Sequence, residues 1–240
     1  MASTMACGAQ KLFSRQRFQA TILHYLKKSL MVVESVMTLG TLYIVSAPSG
    51  AGKTSLISAL LEKNSGIEVS VSHTTRPMRD GEVDGHHYHF VSVENFKKGI
   101  EAGVFLEYAQ VFDNFYGTSK STVKERLEQG MDVILEIDWQ GAQQIRQLEP
   151  EACSVFILPP SIDALEQRLR SRNQDSDEVI ARRLSQARED ATHFSEYDYV
   201  IINQDFETAL EELQSIFISR RVTLDKSVIR NAEILNALTS

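Results

Sequence analysis

From Thr41 onward, apolar runs and amphipathic stretches alternate along the chain. TLYIVSA (41–47) is almost continuously apolar, the pattern of a strand buried on both faces. DVILEID (132–138), ACSVFIL (152–158) and YDYVIIN (197–203) read the same way. Leu56, Ile57, Leu60 and Leu61 share one side of a helix predicted over 54–63, and similar patterns cover 139–148, 162–172 and 177–190. A last helix starts near Asp205, with Phe206, Leu210, Leu213 and Phe217 at helical spacing. Such alternation predicts an α/β fold, a parallel sheet with crossover helices. Residues from about 70 to 125 break the rhythm. EVSVSHTTR, HYHFVS, FLEYAQVF and NFYGTS are short, turn-separated and rich in aromatic and β-branched residues, which predicts antiparallel strands. One helix, about 93–102, interrupts them. The expected organisation is a core of residues 38–69 and 126–225, a small mixed α/β insertion at 70–125 folded over it, and a tail at 226–240.

Composition narrows the class. Of 240 residues 42% are hydrophobic and 24% charged, which suits a soluble globular protein rather than a disordered one. A formal charge of −7 is no footprint for a nucleic-acid surface. No apolar run reaches the length of a membrane span. Two cysteines, Cys7 and Cys153, make no disulfide framework and suit a reducing compartment, so a cytoplasmic location is expected. The first 37 residues differ: Lys11, Arg15, Arg17, Lys27 and Lys28 stand against a single acid, Glu34. They are expected to form an extension, either disordered or a short basic helix. A basic, acid-poor start also fits an import peptide, but an appended arm, or a true start at Met37, is the preferred reading.

The segment Ala47-Pro48-Ser49-Gly50-Ala51-Gly52-Lys53-Thr54 follows a buried strand and opens a helix. In that context it reads as a phosphate-binding loop. Small residues let backbone N–H groups curl around phosphate oxygens, and the helix N-terminus adds favourable partial charge. Lys53 would bridge the outer phosphates of a nucleoside triphosphate and Thr54 would offer its hydroxyl to Mg²⁺. Ala47 stands where the general pattern has glycine; Gly50 and Gly52 supply the flexibility.

Further motifs follow in order: Ser72-His73-Thr74-Thr75-Arg76-Pro77-Met78-Arg79, then Gly81-Glu82-Val83-Asp84-Gly85 and Tyr88. After these come Phe105-Leu106-Glu107, Tyr116-Gly117-Thr118, Glu136-Ile137-Asp138 and Gly141. Together with the loop, over about residues 38–220, they resemble the guanylate kinase family, whose members phosphorylate GMP with ATP. The resemblance implies a P-loop core with an acceptor-binding insertion and an arginine-rich helical lid at about 168–190. It implies that Arg76, Arg79, Tyr88 and Tyr116 hold the GMP phosphate, for which a guanidinium fork is well shaped. It adds Ser72, Thr118 and Asp138 around the guanine. Guanine presents an N1–H and an exocyclic amine on one edge, so a carboxylate, Glu107, is the natural reader, and adenine would leave it unsatisfied. In isolation these arginines would read as solvated loop charge and Glu107 as an exposed strand carboxylate.

On the helix 162–172, Arg170 has Glu166 four residues back, whereas Arg168 and Arg172 repel at the same spacing. Arg182 can pair with Glu178, but Arg183 has no acid three or four residues away. The family pattern assigns ATP-phosphate contacts to Arg168, Arg172 and Arg183, and places Asn203 near the adenine. Lys53, Arg79, Arg172 and Arg183 form the expected catalytic set. The partners expected are ATP and GMP, with no nucleic acid, no membrane, and a homo-oligomer left open. His86, His87 and His89 are read as a polar strand face, since no further ligand completes a tetrahedral set. A kinase for another phosphorylated acceptor, such as a ribose bisphosphate, and a non-catalytic binding module remain as alternatives. Lys53, Thr54 and Glu107 favour the kinase for GMP.

Overall fold

The computed structural model describes residues 40–111, 113–171 and 176–239. The basic stretch 1–37 and Arg172 lie outside the described residues. In chain order the strands are β1 (Leu42–Ser46), β2 (Ile67–Val69), β3 (His73–Thr74), β4 (His89–Phe90), β5 (Phe105–Val111), β6 (Asn114–Ser119), β7 (Asp132–Glu136), β8 (Cys153–Leu158) and β9 (Tyr199–Ile202).

β1 is buried along its whole length and lies in the middle of a sheet of order β2-β7-β1-β8-β9, every pair of which is parallel. A parallel sheet needs both faces covered. One face is covered by α1 (Lys53–Lys63) and α7 (Phe206–Arg221), which bury Leu56, Leu60, Leu213 and Phe217 against Tyr43 and Val45. Tyr43 and Phe217 stack with ring centroids 3.7 Å apart. The other face takes Ala142 and Ile145 of α4 (Trp139–Leu148) against Ile44, Leu135 and Phe156. Each leucine, isoleucine, valine or phenylalanine among them contributes roughly 1.5–3 kcal/mol when fully buried. Both cores serve to hold the carboxyl ends of β1 and β7 side by side, where the loop residues emerge.

The second sheet has the order β4-β3-β6-β5. β5 and β6 form an antiparallel hairpin, and Phe96 of α2 (Val93–Glu101) stacks on Phe105 and Phe115 at 4.4 and 5.5 Å. α3 (Lys120–Glu128) returns the chain to β7. It was not anticipated, because its spacing buries only Val123 and carries no apolar stripe. Two other expectations change. β2, which overlaps the start of EVSVSHTTR, pairs with β7 in the parallel core instead of joining the antiparallel set, because Ile67 just before that stretch is buried there. β3 and β4 are parallel, since residues 75–88 form a crossover long enough to bring the chain back in the same direction. His87 lies in that crossover, outside any strand, and its Nδ1 accepts from the Val83 N–H at 3.0 Å.

The expected fully buried strand at 197–203 is an edge strand: in β9 only Ile201 is buried. Beside that edge, α5 (Ile162–Ser171) and α6 (Asp177–Ala191) share a small core of Leu165, Leu169, Ile180 and Ala187. A turn of 3₁₀ helix, Thr192–Glu196, leads from α6 to β9, and α8 (Leu224–Arg230) and α9 (Ala232–Thr239) follow α7.

Candidate active site

The loop between β1 and α1 is shaped by two glycines with positive φ, Gly50 at 91° and Gly52 at 99°. Space demands them as well as conformation. A Cβ on Gly50 would lie 2.9 Å from the Leu165 Cδ1, and one on Gly52 would run into the amide nitrogen of Asn203. Ala51 is fully buried, and its N–H bonds the Pro48 carbonyl at 3.1 Å. No side chain caps the N-terminus of α1, so its first N–H groups remain to receive an anion. Lys53 stands in that first turn, and burial pulls its ammonium below the usual lysine range while Glu136 opposes the shift. Its Nζ lies 3.8 Å from Glu136 Oε1, and the Thr54 hydroxyl donates to the same oxygen at 2.8 Å. Glu136 ends β7, directly beside β1.

Asp138 follows two residues later and caps α4, its Oδ1 accepting from the Gly141 N–H at 2.9 Å. Burial raises its carboxyl, and the charge of Lys53 lowers it. Across from it Glu107, on β5, is 3% exposed. Its partner across the hairpin is Thr118, whose hydroxyl donates to Oε1 at 2.6 Å. Burial raises this carboxyl from 4.5 to about 7, Thr118 lowers it, and Asp138 raises it further. The other oxygen leans on Gly141, where a Cβ would lie 2.7 Å away. A buried carboxylate with one oxygen committed to a hydroxyl still has lone pairs for two donors on a ligand.

Arg76 sits beneath Tyr88 and Phe90, 5.4 and 5.7 Å from their centroids, and Tyr88 contacts Tyr116 edge-on at 6.0 Å. Its guanidinium forks onto Glu82 at 2.7 and 3.0 Å, and the second Glu82 oxygen also accepts the Arg79 N–H at 2.7 Å. These bonds hold Glu82 down at about 2, with Arg76 the leading cause. The Arg79 side chain is exposed on the crossover. Ser72, just before β3, is half-buried, and its carbonyl accepts from the His89 N–H at 2.9 Å.

The site therefore comprises two polar clusters, linked by Asp138, whose charge acts on Glu107 and which feels that of Lys53. Lys53, Thr54 and Glu136 gather at the phosphate loop, and Glu107, Thr118, Arg76, Tyr88 and Tyr116 line the second sheet, with Asp138 between them. The guanylate kinase family model matches residues 39–220, which contain both clusters and the strands between them. The chain belongs to the guanylate kinase family.

Curated guanylate kinases agree with this placement. The one from Hydrogenovibrio crunogenus is 58% identical over 200 residues, covering 83% of this chain and 98% of the relative. That of Aliivibrio fischeri is 58% identical over 204 residues, with 84% and 99% covered. Among solved structures, the guanylate kinase of Anaplasma phagocytophilum superposes with a TM-score of 0.67 at 32% identity, covering 81% of this chain and 94% of that one.

For a guanylate kinase of this sequence the lid side brings two corrections. Arg168, expected to lack a protein partner, donates to the Ala51 carbonyl at 3.2 Å and to the Asn203 carbonyl at 2.8 Å. Arg183 is also engaged within the fold, so an absence of partners does not single it out. Local spacing could not foresee this, because backbone carbonyls of distant loops leave no mark in an i,i+4 count. Arg170 does pair with Glu166, at 2.8 Å. Asn203 is 4% exposed and donates its amide to the Ala51 carbonyl at 2.8 Å, which makes it a brace of the phosphate loop. Glu136, in the motif Glu136-Ile137-Asp138, joins the site through Thr54 and Lys53, a role that local spacing does not reveal. Its place at the carboxyl end of a strand adjoining β1 was the available signal.

Proposed function

We infer that the two clusters divide the work of one phosphoryl transfer. The chain is a guanylate kinase, an ATP:GMP phosphotransferase that gives ADP and GDP. The observation that carries the acceptor is Glu107, a carboxylate buried beside Thr118 and near enough to Asp138 to feel its charge. Its free lone pairs suit the N1–H and amine of guanine, deoxyguanylate included, whereas adenine offers neither donor on that edge. Ser72, Thr118 and Asp138 complete the base site, and Arg76, Arg79, Tyr88 and Tyr116 take the phosphate. Arg76 is already oriented by Glu82, which leaves Arg79 the more mobile of the pair.

ATP would lie with its phosphates along Ala47–Thr54, its outer phosphates on Lys53 and the open N-terminus of α1. Arg168 and Asn203 hold the loop from behind, and Arg172 and Arg183 belong to the lid that would close over the triphosphate. The Thr54 hydroxyl and Glu136 carboxylate are hard oxygen donors 2.8 Å apart, a pair that fits Mg²⁺ shared with phosphate oxygens. When bound, Mg²⁺ would neutralise charge on the β and γ oxygens. The GMP phosphate is itself an anionic nucleophile, so no strong base is needed. Lys53 and the lid arginines stabilise the moving group, and Arg76 and Arg79 hold the attacking oxygen in line. Closure excludes water and suppresses ATP hydrolysis. A cytoplasmic location is the reading that a chain with only two cysteines supports.

The test is ADP release with ATP and Mg²⁺ against GMP, dGMP, AMP, UMP, CMP and ribose 1,5-bisphosphate. Turnover with GMP at least about 100-fold above AMP is expected from hydrogen-bond discrimination. Equal turnover with AMP, or preference for the sugar bisphosphate, would remove Glu107 from its role.

A further inference from the structure

The root of the lid is fastened to the helix that carries Asp138, and neither fastening residue has a place in the transfer described above. Trp139 opens α4 immediately after Asp138. Its ring stacks face to face on His193, with centroids 3.8 Å apart and planes 9° from parallel. His193 lies in the 3₁₀ turn that ends the lid, and its Nδ1 is 2.6 Å from Glu196 Oε1. Glu196 in turn accepts from Gln143 at 3.1 Å and from Arg146 at 2.5 Å, both on α4. The junction therefore joins one stacked pair of rings to two polar ties, all between α4 and the 3₁₀ turn that follows α6.

We propose that Trp139 and His193 are positioning residues that set the angle at which the lid helix leaves the body of the enzyme. The proposal rests on the ATP:GMP transfer reading. Arg183 lies eight residues before Ala191, so it stands about 12 Å along the helix from this root. A tilt of about 5° at the root then moves the arginine-bearing turn by about 1 Å, and a misplacement of that size costs roughly 100-fold in rate. A flat ring pair resists such a tilt better than a lone hydrogen bond, because both faces must separate to allow it. The same helix is capped by Asp138, so the lid takes its angle from the element that also bears on the acceptor side. Asp138 is held by the Gly141 N–H and Glu107 by Thr118, bonds that loss of the ring pair leaves in place, so acceptor affinity should survive it.

The test compares full-length wild type with His193→Ala, His193→Phe and Trp139→Leu. Each is followed by kcat, by KM for GMP and ATP, and by melting temperature. The expected result is a kcat at least about 10-fold lower in His193→Ala and Trp139→Leu, with KM for GMP within about 2-fold of wild type. His193→Phe, which keeps a flat ring but loses the bond to Glu196, should recover to within about 3-fold of wild type. If His193→Ala does not fold, His193→Gln, which keeps a hydrogen-bonding side chain but no ring, replaces it. Wild-type kcat in the ring-less variant overturns the proposal, as does a His193→Phe no better than its ring-less counterpart. Wild type is assayed with GMP alongside: inactivity there would sink the transfer reading itself, whereas an active wild type beside an unaffected variant sinks only the positioning role.

Discussion

Replacing Glu107 by glutamine should make the protein more stable and a poorer enzyme. The side chain is 3% exposed, and burial raises its carboxyl from 4.5 to about 7. A raised carboxyl means that the fold favours the protonated form. Stability from this group is fully present below 4.5 and is lost as pH rises through about 7. A gap of about 2.5 units at about 1.4 kcal/mol each costs the wild type about 3 kcal/mol by about pH 8. Glutamine has no charge to desolvate. At about 2–4 °C per kcal/mol for a domain of this size, Glu107→Gln should melt about 6–12 °C higher at about pH 8. Most of that difference should vanish near pH 5. The same change leaves one acceptor for two guanine donors and points an amide N–H at one of them. A loss of about 3 kcal/mol, or about 100-fold in KM for GMP, follows, with KM for ATP unchanged. In the wild type, KM for GMP should rise toward tenfold per unit as pH falls below about 7, because the ionised form accepts both donors. The assays are thermal melts of ligand-free protein across pH and initial rates against each substrate. A melting difference that does not change with pH, or equal damage to ATP and GMP, would refute the reasoning.

Three other substitutions probe separate contacts. Gly141→Ala puts a Cβ against the Glu107 carboxylate and should raise KM for GMP at least about 10-fold while leaving ATP alone; unchanged GMP kinetics would show that Glu107 can move aside. Asn203→Ala removes the donor that satisfies the buried Ala51 carbonyl, costing about 1–3 kcal/mol in urea unfolding and raising KM for ATP; a stability change near zero would mean that Arg168 alone suffices. Arg183→Ala should lower kcat about 100-fold with little effect on KM for GMP, and an undiminished kcat would remove it from the catalytic set.

Much of this protein was legible in the chain because the signals are local. Loop residues 47–54 sit between an apolar run and a helical stripe, and a buried strand feeding a helix N-terminus is a local arrangement. The parallel sheet follows from continuous apolar runs such as CSVFIL, which only a doubly covered strand tolerates. The ordered motifs carrying Arg76, Glu107 and Asp138 likewise named the family without any coordinates.

Tertiary structure alone decided which atoms these side chains meet. Arg168 and Asn203 converge on the Ala51 carbonyl from 117 and 152 residues away, and Glu136 reaches Thr54 across 82. Such pairings depend on strand order, and neither the stripe on a helix nor the spacing of charges encodes it. Edge position is the same kind of fact: YDYVIIN is as apolar as a central strand, yet β9 has a neighbour on one side only. Even the proton on Glu107 belongs to the fold, because burial in the closed hairpin, and less so the charge of Asp138, raise its carboxyl to about 7 against the lowering effect of the Thr118 bond.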